Sequence, residues 1–152
     1  MAIKTENQRI TDLLNGTLKS IKTVIPLSPT VSSPSLVTEP LMIRFGVLIG
    51  FTGHIKGKLL MIGEDKDFSY IGQALYGMPL EGEMLKSFSG ELGNMIAGGI
   101  STHVAEKGHF IDITAPSIIE GHSTITGFDK AIELDIRFED GRAITLSLLL
   151  DR

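Results

Sequence analysis

Apolar side chains recur at intervals of three and four residues near the start of the chain, which is the period of an amphipathic α-helix. Thr5 followed by Gln8 has the spacing of a capping box at the start of such a helix. The pattern therefore predicts a helix over residues 5–24. Its buried face is predicted to consist of Ile10, Leu13, Leu14, Leu18 and Ile21.

Three prolines interrupt this pattern within residues 26–34, and proline fits neither a helix interior nor a central strand. The segment is predicted to be a connecting loop. From residue 35 to residue 63 the sequence changes to β-branched and alternating residues, which are typical of strands. Two such runs, 41–52 and 54–62, meet at Gly53 and predict a long β-hairpin.

Two further helices are predicted in the middle of the chain. Residues 67–76 have apolar side chains at helical spacing, acidic residues at the start, which suit the helix dipole, and Gly77 at the end. Residues 81–107 form the longest helical pattern in the sequence. It stops at Gly108, a residue type that commonly ends helices.

The rest of the sequence returns to extended segments, first at 110–114 and 117–120. Residues 130–138 and 142–150 then flank a Glu139-Asp140-Gly141 turn and predict a second hairpin. The order is thus helix, strands, two helices, strands. It predicts an α/β protein of the α+β type, with a mainly antiparallel sheet of about six strands and helices packed on one face.

The long helix over residues 81–107 has two distinct faces when its residues are placed about 100° apart. A broad arc predicted to face the sheet consists of Leu85, Phe88, Leu92, Met95, Ile96 and His103. A separate narrow arc, predicted to face solvent or a partner, is hereafter called the polar stripe. It consists of Ser87, Glu91, Asn94, Gly98 and Ser101, at spacings of four, three, four and three residues.

Glycines are unusually frequent in this helix. Gly90 and Gly93 flank the polar stripe, and with Gly98 and Gly99 they place four glycines in the helix interior, each costing about 1 kcal/mol relative to alanine. On pattern alone, a solvated face with close packing at the glycines is the favoured interpretation. The functional interpretation is that Glu91 and Asn94, on an unobstructed face, reach into the pocket of another protein. An amide can there orient a water for phosphoryl transfer.

Composition narrows the class of protein. The 152 residues are 42% hydrophobic and 21% charged, which predicts one globular domain over residues 1–152. A net charge of −4 argues against a nucleic-acid partner held through its phosphates. The N-terminal sequence lacks the apolar segment of a secretory signal, and the most apolar stretch, 41–51, contains Arg44. We expect a cytoplasmic protein that binds neither nucleic acid nor a membrane.

Common catalytic and metal-binding patterns are missing from the sequence. The chain has no cysteine, which excludes disulfides, thiolate metal sites and thiol nucleophiles. The four histidines fall in different predicted elements, so core or surface roles are favoured over metal ligation. The acidic residues 64–67 suit a helix start better than a metal loop. No metal site and no bound cofactor are predicted.

A longer block of sequence resembles a known family. Ser87, Glu91 and Asn94, followed by Pro116, are similar to the signature of the CheC/CheX/FliY chemotaxis phosphatases, and most similar to the CheX subfamily. The resemblance is carried by Gly90-Glu91-Leu92-Gly93-Asn94-Met95-x-Ala97-Gly98 and by Asp112-Ile113-Thr114-x-Pro116, and it extends over nearly the whole chain. The Glu and Asn spacing alone is weak, whereas the combined block is specific.

This resemblance implies a CheC-like fold and a protein phosphatase that hydrolyses the aspartyl phosphate of a CheY-like response regulator. By the resemblance, Asn94 orients the attacking water and Glu91 engages a lysine of the phosphorylated receiver. Ser87, Gly90, Gly98, Ser101 and Pro116 are expected to contact the receiver. Magnesium is expected on the receiver and not on this chain. A homodimer is carried over from CheX.

Two departures and two alternatives accompany the resemblance. Ala115 stands where the first proline of a pair is expected, and the shorter helix repeats the spacing with Ser69, Gln73 and Tyr76, so a single active helix is implied.

The first alternative is a non-catalytic dimeric adaptor or motor-switch-like domain that binds a receiver without hydrolysis. Such proteins are expected to lose Glu or Asn first, and both are present here. The second alternative is a small-molecule-binding or purely structural dimer.

Overall fold

A computed structural model describes residues 6–151 of the chain. It contains three helices and eight strands in an order that matches the sequence pattern. The helices are α1 (Glu6–Val24), α2 (Asp65–Tyr76) and α3 (Gly82–Glu106). The strands are β1 (Thr30–Val31), β2 (Ser35–Val37), β3 (Leu41–Gly53), β4 (Gly57–Gly63), β5 (Ile111–Ile113), β6 (Ser117–Ile125), β7 (Lys130–Arg137) and β8 (Ala143–Leu150).

All eight strands belong to one antiparallel sheet with six positions. Four of the positions, in order, are filled by β7, β8, β4 and β3. The short strands β1 and β2 share one edge by pairing with β7. At the other edge β5 and β6 both pair with β3. Strand β6 pairs with residues 41–48 of β3, and β5 pairs with residues 51–53 at its C-terminal end. The predicted antiparallel sheet of about six strands with helices on one face is confirmed.

The main core lies between one face of this sheet and the helices. Strands β3, β4 and β8 each contribute alternate apolar residues to it, because successive side chains of a strand point to opposite faces. Helix α3 contributes Leu85, Phe88, Leu92, Ile96 and Ile100, all at most 6% exposed. A smaller cluster, which includes Leu41, Ile43 and Leu60, lies on the opposite face of the sheet.

Helix α1 packs closely on α3 because glycines face the contact. A Cβ built on Gly99 would lie only 2.9 Å from the Cβ of Ser20, and one built on Gly16 would lie 3.1 Å from the ring of His103. The Ser20 hydroxyl, 3% exposed, donates a hydrogen bond to the Ile96 carbonyl across the same contact (2.7 Å). Gly16 of α1 and Gly99 of α3 thus allow the two helices to approach closely.

The ends of α2 follow the predicted chemistry. The Asp67 carboxylate accepts the backbone N–H of Glu64 (2.9 Å), which completes a capping box at the acidic start. Gly77 ends the helix with φ 73°, a left-handed conformation that glycine adopts without strain. The Glu139-Asp140-Gly141 turn is likewise present between β7 and β8. The capping box predicted at Thr5 lies outside the described residues.

Some predicted boundaries and faces are wrong. Two residues of the predicted loop 26–34 form β1, which pairs at the sheet edge with residues 136–137 of β7. Strand β6 continues past residue 120 to Ile125, although its second half is polar, because it is an edge strand with an exposed side. Met95 was predicted to face the sheet and is instead 37% exposed.

Two other α3 residues face neighbours that the helix pattern does not specify. Gly93, predicted to flank the polar stripe, faces β3, where an added Cβ would lie 2.8 Å from Val47. His103 was predicted to face the sheet, but its ring packs against Gly16 of α1. Both contacts arise because α3 packs against the sheet on one side and against α1 on another. The helix therefore has two buried faces next to each other.

Candidate functional site

The polar stripe lies on the side of α3 that faces away from β3. Ser87 and Glu91 are exposed, while Asn94, Gly98 and Ser101 are half-buried. Intervals of three and four residues keep these five positions on one face, because an α-helix turns once every 3.6 residues. The arrangement predicted from spacing is therefore present in the fold.

The two ends of the stripe differ in their surroundings. Gly98 has open space around it, since a Cβ built there would meet no atom within 4 Å. At the C-terminal end, the Ser101 hydroxyl donates a long hydrogen bond to the carbonyl of Ile111 in β5 (3.4 Å). The stripe is thus open around Gly98 and closed by β5 at Ser101.

Pro116 packs directly on α3 at Gly90. A Cβ built on Gly90 would lie 3.4 Å from Pro116 Cγ and 3.8 Å from Ile118 Cδ1. Gly90 is buried by this contact and lies one helical turn before Asn94. The sequence block that links Gly90 to a proline 26 positions later therefore corresponds to a physical contact.

The segment that carries Pro116 is fixed to β3 by Thr114. The backbone N–H of Thr114 donates to the Gly50 carbonyl (2.9 Å), and its side-chain hydroxyl accepts the Gly50 N–H (2.8 Å). Both polar backbone groups of Gly50 are thereby bonded to one residue. A Cβ on Gly50 would lie 3.3 Å from the Thr114 methyl, so the fit also requires a small residue there.

An ion pair joins the start of α3 to β6. Lys86 Nζ lies 2.8 Å from Glu120 Oε1 and 3.2 Å from Glu83 Oε1. The hydrogen bond to Glu120 is the main cause that raises the pKa of Lys86 above its usual 10.5, and the bond to Glu83 adds to it. Lys86 therefore stays protonated at neutral pH and links β6 to α3 next to Ser87.

Sequence reasoning did not predict the roles of Thr114, Gly50, Lys86 or Glu120. The partners in each contact lie 64 positions apart for Gly50 and Thr114 and 34 apart for Lys86 and Glu120. Only the block Asp112-Ile113-Thr114-x-Pro116 contained a signal, because Thr114 belongs to it.

The histidines and acidic residues do not assemble into a metal centre. Within residues 6–151, no three side chains of histidine, aspartate or glutamate are grouped so that they could hold an ion. His109 instead pairs with Asp12 (2.9 Å), and His54 Nδ1 accepts the Phe110 N–H (3.0 Å). Among the same described residues, no helix is both long and apolar enough to cross a membrane.

The chemistry available at the stripe is that of one carboxylate and one carboxamide. A carboxylate accepts hydrogen bonds from a cationic group, and a carboxamide both donates and accepts, so it can hold a water in a fixed orientation. Both groups stand on the surface of a helix and not in an enclosed cleft. Such a surface suits a macromolecular substrate that supplies its own pocket.

An antiparallel sheet with helices packed on one face is also the fold of solved CheC-like proteins. A CheC-like protein from Shewanella oneidensis has the same fold with a TM-score of 0.80, at 23% identity over 97% of this chain and 100% of that one. A CheX–CheY–BeF3–Mg complex from Borrelia burgdorferi is similar with a TM-score of 0.77, at 20% identity over 95% and 98% of the two chains.

Sequence comparison identifies the family within this fold class. Residues 45–134, more than half of the chain, match the family model of the chemotaxis phosphatase CheX. The CheY-P phosphatase CheX of Thermotoga maritima is 29% identical over 134 residues, which cover 84% of this chain and 86% of that protein. The chain belongs to the CheX family, as the block around Glu91 and Asn94 indicated.

Proposed function

We propose that this protein hydrolyses the aspartyl phosphate of a CheY-like response regulator and so ends its signal. The observation that carries the proposal is the pair Glu91 and Asn94 on an accessible face of α3, in a chain of the CheX family. The Thermotoga relative, named as a CheY-P phosphatase, supports the reaction. The Borrelia complex supports a CheY receiver as the partner.

In the proposed mechanism, Asn94 enters the phosphorylation pocket of the receiver and holds one water in line with the phosphorus–oxygen bond. The water oxygen attacks phosphorus, the bond to the aspartyl oxygen breaks, and the products are inorganic phosphate and the free aspartate. Phosphoryl transfer needs positioning and charge stabilisation more than covalent chemistry from the protein. One carboxamide on a rigid helix can therefore suffice.

Glu91 is proposed to anchor the receiver by accepting hydrogen bonds from a lysine beside the phosphoryl group. Ion-paired hydrogen bonds of this kind are shorter and stronger than neutral ones. The receiver's magnesium would neutralise charge on the phosphoryl oxygens, so this chain supplies no metal ligand in the scheme. Because the receiver is the substrate, we place the reaction in the cytoplasm.

The remaining site predictions divide by their surroundings. Ser87 and Gly98 are accessible and are proposed to contact the receiver. Gly90 and Pro116 are proposed to shape the surface beside Asn94, and Ser101 joins α3 to β5. The homodimer stays a prediction.

A receiver-binding adaptor without hydrolysis is the alternative function. It would need the fold and the surface but not the carboxamide. The presence of both Glu91 and Asn94 favours the enzyme. The assays below distinguish the two, because an adaptor binds the receiver and leaves its phosphate lifetime unchanged.

The first test is the decay of aspartyl phosphate on each receiver of the source organism, with magnesium and with or without this protein. We expect wild type to accelerate the decay. Glu91→Ala should weaken receiver binding roughly 10- to 100-fold, since a hydrogen bond to a charged group contributes about 1.5–3 kcal/mol. If the protein accelerates the decay on none of the receivers, the phosphatase function is ruled out.

The matched control for Glu91→Ala is Glu106→Ala. Glu106 is also an exposed glutamate of α3, at the C-terminal end and four turns from Glu91. The Glu106 variant removes the same charge and should bind and hydrolyse like wild type. Equal losses in both variants would mean that net charge, and not the position of Glu91, controls binding.

A second prediction concerns the anchor of the Pro116 segment. Thr114→Val keeps the shape and the backbone bond to Gly50 but removes the hydroxyl that accepts the Gly50 N–H. We expect a reduced kcat with little change in KM, because the segment beside Asn94 loses one of its two anchors. Thr114→Ser retains the hydroxyl and should restore turnover. Equal activity of the valine and serine variants would contradict this positioning role.

A further inference from the structure

Exposed apolar side chains lie next to the polar stripe at the start of α3. Tyr76 is 58% exposed, Met78 49% and Met84 57%. Met84 precedes Glu91 by seven residues, which is two helical turns, so both side chains lie on the same face of α3. Tyr76, Met78 and Met84 are hereafter called the apolar patch.

The apolar patch is held in place by the junction of α2 and α3. The Tyr76 ring packs edge-on against the ring of Phe88, with centroids 5.7 Å apart and planes at 85°. Phe88 is 4% exposed and lies one turn after Met84. Leu80, 5% exposed, fills the space beside Gly72 and fixes the connection between the helices. Tyr76 is therefore fixed at the start of α3, and Met78 lies in the short connection between Tyr76 and Leu80.

Charge gives this protein little help in meeting a phosphorylated receiver. The net charge is −4, the charged member of the stripe is the acidic Glu91, and the nearby Lys86 is already paired with Glu83 and Glu120. The partner's phosphoryl group and the carboxylates that hold its magnesium are also negative. Electrostatic attraction mainly raises association rates when the two surfaces are opposite in sign, which is not the case here.

The affinity must then come largely from apolar contact near the stripe. Methionine and tyrosine are both enriched in the cores of protein interfaces, and methionine adapts its shape to the partner. Met84 shares a face of α3 with Ser87 and Glu91, and Tyr76 packs on Phe88 one turn after Met84, so a receiver seated on the stripe would also reach this end of α3. An interface of standard size buries about 800 Å² on each partner, which is more than five stripe residues can supply.

We propose that the apolar patch is part of the receiver-docking surface and supplies affinity for the phosphorylated receiver. It binds apolar side chains that border the receiver's phosphorylation pocket, while Glu91 and Asn94 enter the pocket itself. This inference rests on the proposed phosphatase function. It assigns binding to Tyr76, Met78 and Met84, and turnover to Asn94.

The test replaces both methionines by glutamine, as the double variant Met78→Gln/Met84→Gln. Glutamine preserves the side-chain length at both positions and the helix propensity at Met84, but it removes the apolar surface. We expect KM for the phosphorylated receiver to rise about tenfold, as for truncation of a good interface contact, with kcat at saturation within twofold of wild type. Unfolding midpoints should be unchanged, because both side chains are exposed.

The matched control is Leu36→Gln. Leu36 is 66% exposed but lies on β2, at the sheet edge opposite the one formed by β5 and β6, so its replacement should leave KM unchanged. A double methionine variant with wild-type KM would overturn the docking role while leaving the phosphatase intact. Equal effects of Leu36→Gln and the double variant would also overturn it, since position would then not matter.

A binding measurement separates this inference from the proposed function. The dissociation constant of a receiver loaded with BeF3 and magnesium is measured for wild type and for the double variant, with no turnover required. Tenfold weaker binding by the double variant supports the patch even if wild type fails to hydrolyse, in which case only the enzyme is rejected. If wild type binds none of the receivers, both the docking role of the patch and the phosphatase function are overturned.

Discussion

Asn94→Ala is expected to reduce hydrolysis of the receiver's aspartyl phosphate by at least about 100-fold at saturating receiver. Removing one preorganised polar group that acts in the transition state typically costs about 10²–10³ in kcat, equivalent to about 2.7–4 kcal/mol. The truncation removes the carboxamide that would orient the water and leaves the rest of α3 unchanged. The measurement is the single-turnover rate of phosphate loss with excess protein.

The same variant should retain its fold and its partner. Asn94 is half-buried, and the change from asparagine to alanine favours the helix, so the free energy of unfolding should fall by no more than about 0.5 kcal/mol. Binding of the BeF3-loaded receiver should stay within a few-fold of wild type. Loss of binding together with turnover would assign Asn94 to docking and not to the water.

Asn15→Ala is the matched control for this change. Asn15 is an exposed asparagine in the interior of α1, so its replacement has the same effect on helix propensity without touching the stripe. Its phosphatase rate should equal that of wild type. If Asn94→Ala hydrolysed the phosphate as fast as Asn15→Ala, the water-orienting role would be rejected. If wild type bound the receiver without hydrolysing its phosphate, the protein would be the adaptor.

The sequence contained enough information to predict the order of elements and the class of fold. Periodicity of 3.6 or 2 residues is a local property, so α1, α3 and the hairpins could be recognised from residues near one another in the chain. Strand β1 and the second half of β6 could not be recognised in this way, because both are edge segments whose polar residues remain exposed. Their strand geometry comes from pairing with β7 and β3 and not from their own pattern.

The polar stripe could also be predicted, because a helix fixes the angle between its own residues. Which neighbour each face of the helix contacts depends on the rest of the fold. Met95 and His103 were assigned to the sheet-facing arc for this reason, since the pattern does not reveal that α3 is covered by β3 on one side and α1 on another. The bond between Gly50 and Thr114 likewise joins two segments that meet only after folding.

The adjacent glycines of α3 give the most direct test of this distinction. Gly99→Ala is expected to lower the free energy of unfolding by about 2 kcal/mol, because overpacking a close contact typically costs about 1–3 kcal/mol. The new methyl group would lie 2.9 Å from Ser20 Cβ and would disturb the buried hydrogen bond from Ser20 to Ile96. Urea unfolding of the variant measures the change.

Gly98→Ala is the matched substitution, one residue earlier in the same helix. Its methyl group meets no atom within 4 Å, so only the gain in helix propensity remains, about 0.5–1 kcal/mol of added stability. A loss of stability in both variants would contradict the packing of α1 on Gly99.

The activities of the two glycine variants then separate packing from function. Gly98 lies on the open part of the polar stripe, so its methyl group would stand between α3 and a docked receiver. We expect Gly98→Ala to be more stable than wild type yet to have a higher KM for the phosphorylated receiver. A more stable variant with reduced activity would indicate that this glycine serves the partner, since folding alone would favour alanine. Wild-type KM in Gly98→Ala would instead place the receiver's contact nearer to Ser87 and Glu91.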